Sequence, residues 1–338
     1  MNYFSNSDYT SFLNLSKKVG SDIELVQGAG GNSSIKNNKI LRVKASGKQL
    51  AHACREEIFV DINLVRIRHS ISEGLDIKLS DFLSCKSKLR PSIETLIHAI
   101  MPHKYVFHVH CVKSISWIIT QSYKDELTEL MNGLEWISLP YYKPGAPLAE
   151  ALLKAQEKKF YEIIFLENHG LIVASDDIER VEFLIYEVGR RLDRPLKKAN
   201  IKNNEFFPLN TIENYSKIND KTINLLALNR SNINLAGKGS YYPDHVVFLG
   251  PGMNIANSLY DFRSKVINNK SLESKPIIFS GVGVFIPNDF ESKEIDMIKA
   301  LSLVLGRVSN DSEVRVLTNL QEKELLNWEA EKYRQKII

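Results

Sequence analysis

The chain has 338 residues, 43% of them apolar and 25% charged, with a formal net charge of +4, which is the composition of an ordinary globular protein. The small net charge of mixed sign gives no indication of nucleic-acid binding, and no apolar run approaches the ~20 residues that span a bilayer. Three cysteines without CxxC spacing favour a reducing compartment, and the N-terminal residues lack the basic-then-apolar order of a signal peptide, so we expect a cytoplasmic protein without nucleic-acid or membrane partners.

The N-terminal part alternates predicted helices and short strands. A helix over residues 8–19 leads into the glycine-rich turn GAGGNSSIK, and the segments NSSIK, KILRVKA and EIFVDIN are predicted strands. A helix over residues 92–101, with Ser92 as its N-cap, precedes the strand KYVFHVHCV. Further helices and the strands EIIFLEN and LIVAS follow up to residue 192, which predicts an α/β fold with several antiparallel strand pairs.

The C-terminal part is predicted to form a smaller α+β unit. The sequence becomes rich in Asn, Lys and Ile after residue 196, and we place a domain boundary near residue 210, giving domains 1–210 and 211–338. The apolar segments HVVFLG and PIIFSGVGVFI are predicted strands, and helices are predicted over residues 292–308 and 319–335. The role of this unit stays open at this point.

Two histidines one residue apart, His108 and His110, are the most informative feature of the sequence. Residues i and i+2 of a strand share one face, so both imidazoles can point at a single metal ion. Glu94 lies upstream in RPSIE and His169 downstream in ENHG. Three imidazoles and one carboxylate suit zinc, which would act as a Lewis acid.

Two loops and a helix start predict a cradle for a phosphate group. Gly28, Gly30 and Gly31 let backbone amides approach a ligand, and Asn32 adds a side-chain donor. The segment Ser46-Gly47-Lys48 offers a hydroxyl, an open amide and a cation. The free amides of a helix beginning at Ser92 would favour an anion.

The order GAGGNSS, ASGK, RPSIE, HVH and ENHG resembles the class II aldolase/adducin family over about residues 13–192. Within that family, RPSIETLIHAIMPHKYVFHVHCV, GSYYPDHVVFLGPG and NWEAEKYR are most similar to the aldolase half of bifunctional rhamnulose-1-phosphate aldolase/lactaldehyde dehydrogenase proteins. The resemblance implies a three-layer α/β/α sandwich around a mostly antiparallel sheet. It also implies a homo-oligomer, usually a tetramer, with the pocket at a subunit boundary.

Carried over residue by residue, the resemblance implies one Zn²⁺, or another divalent metal, per subunit. His108, His110 and His169 would be its ligands, and Glu94 would be the fourth ligand at rest and the acid/base during turnover. The positions that hold substrate phosphate correspond to Asn32, Ser46, Gly47 and Ser92, next to the donor loop containing Gly31. Tyr141 falls where some family aldolases place a tyrosine that assists proton transfer, and Tyr142 competes for that role.

The leading hypothesis is therefore a zinc-dependent aldehyde-lyase of carbohydrate metabolism. It would cleave a ketose 1-phosphate to dihydroxyacetone phosphate and an aldehyde through a metal-stabilised enediolate. A sugar-phosphate 4-epimerase or dehydratase on the same site, or a non-catalytic scaffold like adducin, are the alternatives. For His98 a packed or solvent-facing position is favoured, and for His245 a structural role is favoured over reaching the pocket of an adjoining subunit.

Overall fold

The computed structural model describes residues 3–202, 214–268 and 275–327. The strands in these ranges are β1 (Asn32–Lys36), β2 (Ile40–Lys44), β3 (Phe59–Asn63), β4 (Tyr105–Val109), β5 (Trp136–Leu139), β6 (Ile163–Leu166), β7 (Gly170–Ser175), β8 (Tyr215–Lys217), β9 (Asn254–Ala256), β10 (Ile277–Phe279) and β11 (Gly283–Pro287). The α-helices are α1 (Asn6–Gly20), α2 (Leu64–Ser72), α3 (Thr95–Ile100), α4 (Val112–Ile118), α5 (Tyr123–Leu130), α6 (Ala146–Ala155), α7 (Ile178–Arg191), α8 (Lys221–Leu228), α9 (Arg230–Ala236), α10 (Leu259–Asn268), α11 (Ser292–Leu305) and α12 (Asn319–Leu326).

The larger sheet is mostly antiparallel and has β4 at its centre. Among the described residues its strand order is β3-β2-β1-β4-β7-β6-β5, and only the β5–β6 pair is parallel. Every residue of β4 is buried, because β1 and β7 flank it and helices cover both faces of the sheet. In this register His108 lies opposite Asn32 of β1 and Ile172 of β7.

Helices pack on both faces of this sheet and make three layers. On one face Phe12 of α1, Ile115 of α4 and Leu184 of α7 share a core with Phe107. On the other face α3 and α6 pack over Val106 and its neighbours, and α2 packs with α3 over β2 and β3. Side chains alternate between the two faces along β4, as strand geometry requires. The three-layer α/β/α prediction is confirmed.

A second sheet in the order β8-β11-β10-β9 forms the C-terminal α+β unit. Its helix α11 packs against α8 and also against α4 of the first unit. Ile298 and Leu301 of α11 belong to the same hydrophobic core as Phe12 and Phe107, so the core is continuous between the two units. The predicted boundary near residue 210 lies outside the described residues.

The segment HVVFLG, which we predict as a strand, forms a π-helix at His245–Leu249 instead. All five of its residues are buried, and a short, fully buried apolar run has no periodicity that separates a strand from a helix. The segment PIIFSGVGVFI divides into β10 and β11 around Gly281, whose φ of 76° suits a tight turn. The helix predicted over residues 319–335 is present as α12, and its predicted remainder lies outside the described residues.

Within the described ranges, no helix combines the length and the apolar character needed to cross a bilayer.

Candidate metal centre

Three histidines and one glutamate meet at the end of the central strand. His108 lies on β4, and His110 follows directly after its last residue. His169 lies in the turn between β6 and β7, after Asn168, which has a φ of 52°. Glu94 is the N-cap of α3. The antiparallel β4–β7 pairing brings the turn with His169 beside the end of β4, so residues far apart in sequence converge.

The four side chains are close enough to share one ion. The ligand atoms of His108, His110 and His169 all lie within 4.8 Å of one another, and all three residues are buried. Glu94 Oε1 lies 3.4 Å from His108 Nε2 and 3.3 Å from His169 Nε2. Donors held ~2.0–2.1 Å from a tetrahedral zinc ion are separated by about 3.4 Å, so these two spacings match a zinc site.

The neighbours of two rings decide which nitrogen is available to a metal. His108 Nδ1 lies 3.2 Å from the carbonyl oxygen of Leu171, which can only accept, so Nδ1 carries the proton. His110 Nδ1 lies 2.9 Å from Asp244 Oδ2, and a carboxylate at this distance favours the tautomer with the proton on Nδ1. The Nε2 atoms of both rings are buried without a hydrogen-bond partner, so each presents a lone pair to the space beside Glu94.

Burial keeps the imidazoles of His108 and His169 neutral. It lowers the pKa of His169 to about 3 and also lowers the pKa of His108. Both rings are therefore unprotonated at neutral pH, which is the form that binds metals.

Glu94 is a buried carboxylate with one unpartnered oxygen. Burial raises its pKa, but the positive charge that His108 and His169 carry when protonated in acid, together with the donor Asn32, lowers the pKa by more, to about 2. Its Oε2 accepts a hydrogen bond of 2.6 Å from Asn32 Nδ2, whereas Oε1 has no hydrogen-bond partner. A buried anion facing imidazole lone pairs is costly unless a cation lies between them. The residues present therefore fit a divalent metal.

A hydrogen-bonded chain lies behind Glu94. Asn32 Oδ1 bonds Nε2 of His98, and Nδ1 of His98 bonds Ser34 Oγ at 2.7 Å. Lys36 Nζ donates to the backbone carbonyl of His98 at 2.6 Å. His98 is fully buried, in agreement with a packed position, and it also fixes the amide that holds Glu94, the role that is the less favoured alternative from the sequence.

The predicted phosphate donors line one pocket beside the histidines. Its walls include, among others, Gly31, Asn32, Ser46, Gly47, Ser92, Glu94, His110 and His169. The pocket has a volume of about 440 Å³, which includes the part that is open to solvent. The side-chain amide of Asn32 is engaged by Glu94 and His98, whereas Gly47, with a φ of 75°, adopts a turn conformation that suits glycine. Phosphate binding by these residues stays a prediction.

The predicted helix start at Ser92 is wrong. The helix α3 covers only Thr95–Ile100, and its N-cap is Glu94. Ser92 Oγ accepts from the amide of Glu94 at 3.3 Å, and the amide of Thr95 donates to the carbonyl of Ser92 at 3.0 Å. These local hydrogen bonds form a turn before the helix and use the amides that were expected to face an anion.

Tyr141 is not among the residues that line the pocket, although Pro144 from the same turn is. Its ring packs against Val246, Leu317 and Leu325 of the C-terminal unit. Tyr142 is 38% exposed. A proton-transfer role for Tyr141 stays a prediction.

Two site residues were missed in the sequence. Lys44 is buried in the pocket wall, and its Nζ donates to the carbonyls of Ala29 at 2.8 Å and Lys48 at 2.6 Å, which ties the two glycine-containing loops together. A lysine in a strand of alternating polar and apolar residues usually faces solvent, so the sequence pattern did not indicate that Lys44 is buried in the pocket. Asp244 contacts His110 from the C-terminal unit, and its only signal is its place beside His245 in YYPDHVVF.

Comparison with known proteins supports a family assignment. The sequence model of the "Class II Aldolase and Adducin N-terminal domain" matches residues 12–192, more than half of the chain. "Uncharacterized oxidoreductase YuxG" of Bacillus subtilis is 31% identical over 180 residues, covering 48% of this chain and 26% of that protein. The chain thus spans about a quarter of the length of this relative, which agrees with a resemblance to one part of a fusion protein.

Two solved structures are similar to this chain at low overall similarity. The N-terminal class II aldolase domain of a conserved Thermoplasma acidophilum protein is 25% identical, covers 57% of this chain and 97% of its own, and has a TM-score of 0.49. YgbL of Klebsiella pneumoniae, titled a putative aldolase/epimerase/decarboxylase, is 19% identical, covers 54% and 87%, and has a TM-score of 0.40. Since both TM-scores lie below 0.5, the assignment depends on the sequence match.

Proposed function

The chain belongs to the class II aldolase and adducin family, and we propose that it is a zinc-dependent aldehyde-lyase. Its substrate would be a ketose 1-phosphate, which it would cleave to dihydroxyacetone phosphate and an aldehyde. The observation that carries the proposal is the convergence of unpartnered His108 Nε2, His110 Nε2 and Glu94 Oε1 in one buried space with His169. A non-catalytic scaffold gives no reason to keep all four groups buried, close together and without mutual hydrogen bonds.

Different residues of the pocket would bind the two ends of the proposed substrate. The phosphate would bind at the loops with Gly31 and Gly47 and at the hydroxyl of Ser46, with the buried Lys44 cation close by. The carbonyl and the neighbouring hydroxyl would face His110, His169 and Glu94. Zinc, when bound, would supply Lewis-acid stabilisation of negative charge on the substrate oxygens.

Glu94 would handle the proton of the reaction. Cleavage breaks the C3–C4 bond, the C4 hydroxyl loses its proton as that carbon becomes the aldehyde, and C3 gains a proton to give dihydroxyacetone phosphate. Glu94 is placed for proton transfer because it lines the pocket, and its Oε1 has no hydrogen-bond partner while Asn32 holds Oε2. The chain Asn32–His98–Ser34 fixes that orientation from behind.

The test offers the purified, zinc-loaded protein a panel of ketose 1-phosphates and follows dihydroxyacetone phosphate with a coupled assay. We expect its release from at least one substrate, dependent on zinc, and about one zinc per chain in protein that has not met chelators. Zinc content far below one per chain would contradict the proposal. NMR of the products separates cleavage from epimerisation or dehydration, either of which would contradict lyase activity.

The homo-oligomer expected from the family resemblance is part of the proposal. Light scattering coupled to size-exclusion chromatography would measure the mass in solution. A tetramer of the 38.5 kDa chain is the expected result, and a monomer would contradict it.

A further inference from the structure

The C-terminal unit reaches the metal centre through one side chain. Asp244 Oδ2 lies 2.9 Å from His110 Nδ1, and the two side chains are 2% and 8% exposed. Asp244 and the preceding Pro243 line the same pocket as Glu94 and His169. The family match ends at residue 192, so this carboxylate belongs to a part of the chain outside the matched domain.

Two features hold the segment around Asp244 against His110. The π-helix His245–Leu249 begins directly after it and packs against α11 and α12. Asn168, the neighbour of His169, donates from Nδ2 to the carbonyls of Tyr241 and Arg315, each at 2.9 Å.

Gly30 leaves the space in which the two side chains meet. A Cβ at this position would lie 3.0 Å from Asp244 Oδ2, 3.0 Å from His110 Nδ1 and 2.9 Å from the carbonyl of Gln27. A side chain here would crowd the carboxylate, the ring and the Gln27 carbonyl, so Gly30 suits the close approach of all three groups.

We infer that Asp244 is the positioning residue for the metal ligand His110. A carboxylate 2.9 Å from Nδ1 favours the tautomer that leaves the Nε2 lone pair toward the metal, and its charge increases the basicity of that nitrogen. Leu171 does the same for His108 with a neutral carbonyl. The C-terminal unit therefore completes the metal centre. This inference rests on the proposed zinc site.

The experiment measures zinc affinity by competition with a chromogenic chelator, in the full chain. Asp244→Asn removes the charge and keeps the shape, and Gly30→Ala separates the pair without removing either group. We expect Asp244→Asn to weaken zinc binding by about 10-fold or more, the usual cost of losing such a partner, and Gly30→Ala to weaken it in the same direction. Matched controls are Asp76→Asn, an exposed carboxylate, and Gly189→Ala, where a Cβ meets nothing within 4 Å.

Proton NMR of the zinc-loaded protein supplies a readout that a purely structural role would not move. The wild type should show a downfield imidazole N–H signal from His110 that shifts in Asp244→Asn and stays in both controls. Zinc affinity of Asp244→Asn within about threefold of wild type, well short of the usual cost, would overturn the inference alone. If Asp244→Asn does not fold, unchanged affinity of Gly30→Ala overturns it. A wild-type chain that binds no zinc would overturn the proposed function and this inference together.

Discussion

His98 and the group of His108, His110 and His169 are all buried beside the larger sheet, but they have opposite hydrogen-bonding states. His98 has both ring nitrogens bonded, one by Ser34 and one by Asn32. His108, His110 and His169 are buried to a similar degree, yet each keeps one nitrogen without a partner. Buried polar atoms are nearly always satisfied, so the unpartnered Nε2 atoms of His108 and His110, together with the unpartnered Oε1 of Glu94, call for a common partner.

This contrast shows that a candidate metal site is identified by several ligand atoms that converge on one space, and not by a single nitrogen without a hydrogen-bond partner. His245 also has a buried Nε2 without a hydrogen-bond partner, but it is not part of the group that could hold a metal ion in the described residues. Its neighbours include Tyr241 and Tyr242, whose rings lie 6.2 Å and 5.8 Å away. An apolar setting of this kind disfavours a charged imidazole and offers a cation no further ligands.

The same substitution to alanine at His169 and at His98 should give the largest difference between the two kinds of buried histidine. His169→Ala should weaken zinc binding by more than the ~10–100-fold cost of losing an outer hydrogen-bond partner, because it removes a ligand. His98→Ala should retain zinc but, in the presence of a chelator, should be less stable than His169→Ala by about 2 kcal/mol, because Ser34 and Asn32 lose a buried partner. Denaturant unfolding of both variants, with and without zinc, measures both effects. If the same variant were the more stable one under both conditions, the assignment of His169 as a metal ligand and of His98 as a structural residue would be contradicted.

Loss of the proton carrier comes next. Glu94→Gln should lower kcat by about 100-fold or more on the best ketose 1-phosphate, because the amide cannot exchange a proton at this position. Glu150→Gln is the matched control, since Glu150 is an exposed side chain of α6. Steady-state kinetics of both variants, each loaded with zinc, give the result. A Glu94→Gln enzyme with nearly normal kcat would remove Glu94 from the chemistry.

The phosphate end of the pocket should give a smaller effect. Ser46→Ala removes one donor and should lower kcat/KM for a phosphorylated ketose by about 10-fold, as expected for a hydrogen bond to a charged group. The matching unphosphorylated ketose serves as the internal control, because its kcat/KM should not change. Equal losses on both substrates would show that Ser46 acts on something other than the phosphate.

The smallest effect concerns His245 and pH. Burial lowers its pKa to about 4, below the ordinary value of 6.5, so the unfolded chain binds the extra proton between these two values. The stability that neutral His245 confers is complete above pH 6.5 and is lost as the pH falls toward 4, by about 1 kcal/mol between pH 6 and pH 5. In His245→Gln the free energy of unfolding should decline less steeply over this interval, as measured by urea unfolding. An identical slope would contradict the buried, neutral histidine.

The sheet and the grouping of His108, His110 and His169 could be predicted from the sequence because each has a local signal. Alternating strands and their turns are visible in NSSIK and in KYVFHVHCV, and the HVH spacing is a property of a strand. The predicted helix start at Ser92 was wrong because the Ser92 side chain accepts a hydrogen bond from the amide of Glu94 and forms a turn there. Helical periodicity in the sequence does not reveal such a turn. Contacts between segments that are distant in sequence could not be predicted, because no pattern within one segment indicates its partner. The contact between Asp244 and His110 is the main example.

Anomalous diffraction at the zinc edge, from crystals of the zinc-loaded chain, tests the central claim most directly. We expect one strong peak between Glu94 and Nε2 of His108, His110 and His169, at the ~2.0–2.1 Å spacing from each nitrogen that zinc requires. No peak at that position, or zinc held only at a surface cysteine such as Cys54 or Cys85, would contradict the metal centre and the lyase activity proposed from it.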